Sequence, residues 1–298
     1  MKKKLKNRHL IAPLLFLLTA SIYFLINPDT FSNIISNTTS NFIEFGFPYF
    51  LLALGAGLVI STGGIDISSA GVATLCSTFF ASLMVYKGIP IVISLIITLL
   101  LGIIIGAIQG YLISKHSAPP LILTWAIWII CFKMAVLISK GVMPFLNGNS
   151  EVIADAGGIV GFKTREILLV DYQFLLFFLA LFIIYVLMFS GFPKKAMAVG
   201  ANKDSAVYAG VKSNKVIKWS YILSSLLSSI CGILLFGLND GSSTGDLLYK
   251  ELIPIAIAVI AGTSLSGGYL SLWSIFWAAL FYVLFEALII NISNKKIF

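Results

Sequence analysis

The chain has 298 residues, of which 59% are hydrophobic and only 11% charged, and its mean hydropathy is +1.01. Soluble domains carry about 25% charged residues, and a water-soluble core cannot absorb this much apolar surface. Composition therefore excludes a soluble globular protein, and the net charge of +8 is better explained by membrane orientation than by nucleic acid.

Backbone N–H and C=O groups inside a bilayer must bond within their own segment, so long apolar runs imply spanning helices. The expected fold class is all-α: a polytopic integral membrane protein forming a single transmembrane domain over 1–298, with about eight to ten transmembrane or re-entrant helices. Lys2, Lys3, Lys4, Lys6 and Arg8 precede the first apolar run, and Lys194, Lys195, Lys203, Lys212, Lys215 and Lys218 share a loop over 191–217 with one acid, Asp204. Both regions should be cytoplasmic. Glu151, Asp155, Glu166, Asp171, Asp240, Asp246 and Glu251 gather in 141–171 and 239–251, which should face outward.

The run Leu10 to Ile26 follows a basic leader but no small-residue cleavage pattern follows it, so it reads as an uncleaved first helix. Further apolar segments cover about 42–60, 70–86, 89–114, 119–139, 168–190, 216–238, 252–262 and 270–292. The run at 252–262 is shorter than the roughly 20 residues a crossing needs and reads as a half-helix or re-entrant element. Counted as a full crossing it leaves Lys295 and Lys296 outside; counted as re-entrant it puts them inside. Cys76, Cys131 and Cys231 lie singly in apolar runs, with no CxxC or histidine cluster, and read as lipid-facing or core residues.

Two polar, glycine-rich interruptions stand out: Ser61-Thr62-Gly63-Gly64-Ile65-Asp66-Ile67-Ser68, and Gly262-Thr263-Ser264-Leu265-Ser266-Gly267-Gly268. Irregular backbone at membrane depth is tolerated where protein or a watery cavity satisfies it, and paired broken helices in the two halves of a transporter mark its path. Tight loops at the membrane surface would look the same in sequence. Asp66 either caps the helix beginning near Ser68 or contacts substrate, and capping is the preferred reading. Glu44, Lys133 and Glu286 also lie in or near apolar runs, where long side chains reach the interface. Within the basic loop, Ala198 to Val211 reads as a short surface helix bounded by Gly200 and Gly210, small enough in its side chains for close docking by a soluble partner. A solvated loop without a partner is the alternative.

Three motifs together resemble the permease subunits of ribose-type ABC sugar importers. Thr62 to Ser68 is similar to that family's TGGIDLS, Ala198 to Val211 to AxGGNxxAAxxSGI, and Ala261 to Gly268 to GGTSLSGG, in the same order and spacing over about 45–292. The resemblance implies an ABC importer permease fold with two pseudo-symmetric halves, and a coupling helix at 200–211 matched at Gly200, Asn202, Ser205, Ala206, Gly210 and Val211, with Asp204 beside them. It places Thr62, Gly63, Gly64, Asp66, Ser68, Gly262, Thr263, Ser264, Ser266, Gly267 and Gly268 along the translocation path. It further implies a cytoplasmic ABC ATPase that binds ATP and magnesium, a second permease subunit, identical or paralogous, and an extracytoplasmic solute-binding protein, in a bacterial inner membrane with the N-terminus inside. No GxxxxGK[ST] loop occurs here, so no cofactor is expected in this chain and catalysis is expected in a partner.

Ala201 departs from the second glycine of the loop motif, Ser69 and Ala70 from the usual VG, and Lys133 from a common arginine. Family members continue through one more apolar helix, so a chain stopping at Phe298 is expected either to leave its C-terminus outside or to be an impaired subunit. The competing reading is a cation-coupled secondary transporter, for which Asp66 alone is a fair coupling group. A membrane-embedded enzyme fits poorly, since His9 and His116 are the sole histidines and neither stands in a catalytic set.

Overall fold

The computed structural model describes residues 8–26, 46–139, 172–238 and 247–295. Lys2, Lys3, Lys4, Lys6, Glu44, Glu151, Asp155, Glu166, Asp171, Asp240, Asp246 and Lys296, on which part of the orientation argument rests, lie outside them. Among the described residues every regular element is helical: α1 (Arg8–Ile26), α2 (Phe47–Ser61), α3 (Ser69–Val85), α4 (Ile91–His116), α5 (Pro120–Ser139), α6 (Tyr172–Phe189), α7 (Phe192–Ala201), α8 (Lys203–Tyr208), α9 (Ser213–Leu238), α10 (Ile253–Ile260) and α11 (Leu272–Lys295). Five of these are long and apolar enough to cross a membrane, or six if α6 and α7, bent by 66°, form one broken span.

The 15-residue α2 is the centre of the bundle, with every residue from Phe47 to Ser61 buried. A helix apolar all round belongs in the interior, and α9, α10, α11 and α7 pack around this one. On α4, Gly102, Gly106 and Gly110 recur every fourth residue and let the backbone of α9 approach; a Cβ at Gly106 would lie 2.8 Å from Ile222 Cα, and one at Gly110 2.7 Å from the Lys218 carbonyl oxygen. Small residues at this spacing allow close van der Waals packing where the hydrophobic effect gives no preference between helix and lipid. The opposite faces of α4 and α5 expose Ile96, Leu100, Ile104, Trp125 and Ile130, as lipid-facing surfaces require.

The eight-residue α10 is as short as expected, and it lies beside α2, with Ala258 against Gly57 and Lys250 over the Tyr49 ring. It carries the chain to the end of the bundle where α2 terminates and does not turn back. There α11 begins beside the start of α1, Ser274 Oγ donating to the His9 carbonyl at 3.2 Å. The Lys295 end of α11 therefore lies at the opposite end, as the full-crossing alternative requires.

Cys76, Cys131 and Cys231 are all buried, on α3, α5 and α9, which assigns them to the core and not to lipid. His9 and His116 are exposed near helix ends, His116 against the Tyr111 ring.

Candidate functional site

The chain leaves α2 through three consecutive turn hydrogen bonds, from Thr62 N to Val59 O, Gly63 N to Ile60 O and Gly64 N to Val59 O. Ile67 N donates to Thr124 Oγ1 of α5 at 3.2 Å, and Ser68 N donates to Asp66 Oδ1 at 2.9 Å. The second interruption closes in the same manner, through Gly262 N to Val259 O, Thr263 N to Ala258 O, Ser264 N to Tyr269 O and Gly267 N to Ser264 O. Protein groups thus accept most of the backbone N–H bonds of both breaks, which is what permits irregular chain next to a membrane.

The two breaks are bonded to each other, Gly268 N donating to Ser61 O at 3.0 Å. Gly200, in the last turn of α7, closes a three-way junction with them. A Cβ there would overlap the Ser61 carbonyl oxygen and stand 2.7 Å from Gly268 N, so no residue but glycine fits. Gly267 has φ +82° and its missing Cβ would come within 3.0 Å of both Gly200 Cα and Gly63 N. Ala201, the departure noted in the loop motif, packs its Cβ 3.1 Å from the Cβ position of Gly268. Gly200 is therefore not the boundary of the surface helix, as read from sequence. It lies inside α7, an additional helix that sequence reasoning missed although Pro193 at its first turn and Gly191 before it are recognisable start signals.

The boundary is Asn202, whose Oδ1 accepts from Ser205 N at 2.8 Å as the N-cap of α8. Asp204 in the first turn faces the positive helix end. The other boundary is Gly210 as read, at φ +80°, where Gly210 N bonds Val207 O and Val211 N bonds Ala206 O. Ala206 is buried with Ala196, Val199 and Val216, and half-buried Val211 packs against them, so these two motif residues hold α8 to α7 and α9. The outer face carries Asp204, Ser205, Val207 and Tyr208, and Tyr208 is 92% exposed.

Asp66 is fully buried. Its Oδ1 accepts from Ser68 N and, at 2.6 Å, from Ser68 Oγ; its Oδ2 accepts from Ser224 Oγ of α9 at 2.6 Å. Gln109 of α4 extends the network, with Oε1 3.0 Å from Ser68 Oγ and Nε2 donating to Ser225 Oγ at 2.8 Å. The N-cap of α3 is Ser68, so Asp66 bonds the cap residue and in addition ties the first break to α9 and α4. Nothing in the local sequence singles out Ser224, Ser225 or Gln109 as partners of Asp66. The serines recur at fourfold spacing with Ser220, Ser228 and Ser229, a polar stripe on an otherwise apolar helix that was open to reading. Tyr221, fully buried, brings its hydroxyl within 2.5 Å of the Cβ position of Gly64 and has no hydrogen-bond partner among the described residues. No group of three metal-binding side chains occurs among the described residues.

The chain is 34% identical over 223 residues to the ribose import permease protein RbsC of Bacillus subtilis, covering 73% of this chain and 66% of that protein. It is 29% identical over 231 residues to the galactofuranose transporter permease protein YtfT of Escherichia coli, covering 76% and 64%, and 27% identical over 232 residues to the fructose import permease protein FrcC of Rhizobium meliloti, covering 77% and 64%. The matched region thus spans about two thirds of the length of these relatives. No solved structure matches the chain. Residues 38–297 match the family described as the branched-chain amino acid transport system, permease component, and the chain belongs to that family.

Proposed function

We propose that the chain is the transmembrane permease subunit of an ATP-binding-cassette importer that moves a sugar, or a similar small polar solute, into the cytoplasm. The observation that carries this reading is the junction of Gly200 with Ser61 and Gly268, because a surface helix that binds a soluble engine must also grip the membrane helices it is to move. Here α8 is braced on α7, and α7 ends wedged between the two breaks. The names of the ribose, galactofuranose and fructose permeases support the solute class.

On this reading the end bearing Lys194, Lys195, Lys203, Lys212, Lys215 and Lys218 is cytoplasmic, as is the N-terminus, and the membrane is a bacterial inner membrane. A cytoplasmic ABC ATPase, which holds ATP and magnesium, docks on α8, with Asn202, Asp204, Ser205, Val207 and Tyr208 at the contact. The full assembly contains a second permease subunit and an extracytoplasmic solute-binding protein. Closure of the ATPase pushes α8 and α7 against Ser61 and Gly268, shifting α2 and α10 together, while Thr62, Gly63, Gly64, Thr263, Ser264, Ser266 and Gly267 form the moving inner rim of the path. The network of Asp66, Ser68, Ser224 and Gln109 keeps α3, α4 and α9 moving as one body.

Purification of the tagged chain from native membranes tests this reading. Recovery of a cytoplasmic ATPase that is lost when α8 is altered supports it; recovery of the ATPase at undiminished yield with α8 altered, or of no ATPase at all, refutes it. Solute uptake that survives ATP depletion but stops when ion gradients collapse would instead assign a secondary transporter.

A further inference from the structure

One feature of the basic segment has no part in the junction. Between the start of α7 and the start of α9 lies a cavity of about 500 Å³, lined by Phe192, Lys195, Lys212, Lys215, Val216 and Trp219 together with the backbone bend at Gly210. Its lining contains three lysines and no acidic side chain, and the three lysines are exposed. Trp219 is 53% exposed, on the face of α9 turned away from the bundle. Just before α7, the last turns of α6 expose Tyr185, Val186 and Phe189, which is 75% exposed and lies three residues before Phe192 of the cavity lining, so the chain leading into the cavity carries a surface suited to acyl chains.

Three lysines at an opening, an amphipathic indole in its wall and apolar aromatic side chains on the preceding helix are the side-chain types that gather at a bilayer interface. Lysine stems can lie along the apolar lining while their charges converge on an anion. A soluble acidic peptide would complement the lysines but would leave Trp219, Phe189 and Tyr185 uncovered. We propose that this cavity binds the headgroup of an anionic phospholipid, its phosphate held by Lys195, Lys212 and Lys215 and its glycerol backbone against Trp219. The site shares Gly210 and Val211 with the end of α8, so the lipid braces the surface helix from its membrane side. Its occupancy does not depend on the ATPase-docking proposal and is tested without it.

The test is fluorescence quenching of the purified full chain by phosphatidylglycerol with brominated acyl chains, the Trp219 signal being isolated as the difference between the native chain and W219F. Saturable quenching is expected with phosphatidylglycerol and not with brominated phosphatidylcholine. Each lysine near an anionic lipid is worth about 1 kcal/mol, so the K195Q/K212Q/K215Q variant should bind on the order of 100-fold more weakly. The three substitutions are at exposed positions, and an unchanged circular dichroism spectrum checks that the variant is folded. Equal quenching by the two lipids, or unchanged affinity in the triple variant, overturns the proposal. Displacement of the lipid by millimolar inorganic phosphate also overturns it, in favour of a free-anion site.

Discussion

Gly268 donates its backbone N–H to the Ser61 carbonyl at 3.0 Å, and the carbonyl it bonds is the one that a side chain at position 200 would strike. One peptide oxygen thus joins the ends of two interrupted helices and abuts α7, the helix that braces the proposed ATPase dock. The bond is backbone to backbone, so its geometry depends on the neighbouring residues staying small, and any displacement of α7 is felt at once by α2 and by the turn preceding α11.

The Asp66 network predicts a graded response. Asp66→Ala leaves the Ser224 hydroxyl and the Ser68 N–H without their acceptor in a buried site, while the Ser68 hydroxyl keeps Gln109 Oε1, at a cost of about 1–3 kcal/mol for each unpaired group. Asp66→Asn keeps an acceptor of the same shape, and the hydroxyls can turn to accept from its amide, so most of the stability should remain. Thermal unfolding in detergent should rank native, Asn, then Ala, with Ser224→Ala near Asn.

Tyr208 is 92% exposed on the outer face of α8, and a lone exposed aromatic beside a docking helix is a natural anchor for a partner. Tyr208→Ala should weaken ATPase binding by at least about tenfold, equivalent to roughly 1.4 kcal/mol, while the chain alone unfolds at an unchanged temperature. Surface-plasmon binding of the purified ATPase to the immobilised permease measures this directly.

Asn202 caps a helix of only six residues. Asn202→Ala removes the acceptor for Ser205 N and should cost about 1 kcal/mol of local helix stability, whereas Asn202→Asp should retain it. Faster amide exchange at Ser205 and Ala206 in the alanine variant, with little change in α9, would confirm that the effect stays local.

Much of this architecture was legible in the sequence. The long apolar runs gave α3, α4, α5, α9 and α11 within a few residues, because an 18-residue apolar stretch has few other outcomes next to lipid. The breaks at 61–68 and 262–268 were visible as polar, glycine-rich gaps. Their bonding to each other was not, since nothing in local composition records a contact between segments so far apart in the chain. Gly200 reads from sequence as a helix boundary because glycine at a helix end is the common case. Its actual role is close backbone approach, which is a property of Ser61 and Gly268 and invisible from its own neighbours. Asp66 was rightly connected with the start of α3, but Ser224 and Gln109 could be paired with it only once α4 and α9 had been placed around α2.

The most direct test of the account is ATP-driven uptake by Gly200→Val permease, reconstituted in proteoliposomes with its ATPase and solute-binding protein. A valine there must displace the Ser61 carbonyl or Gly268, an overpacking worth about 1–3 kcal/mol, but it leaves the outer face of α8 intact. The account predicts that the variant still inserts and still binds the ATPase while uptake falls by about tenfold or more. Uptake at the native rate with the variant fully assembled would contradict it.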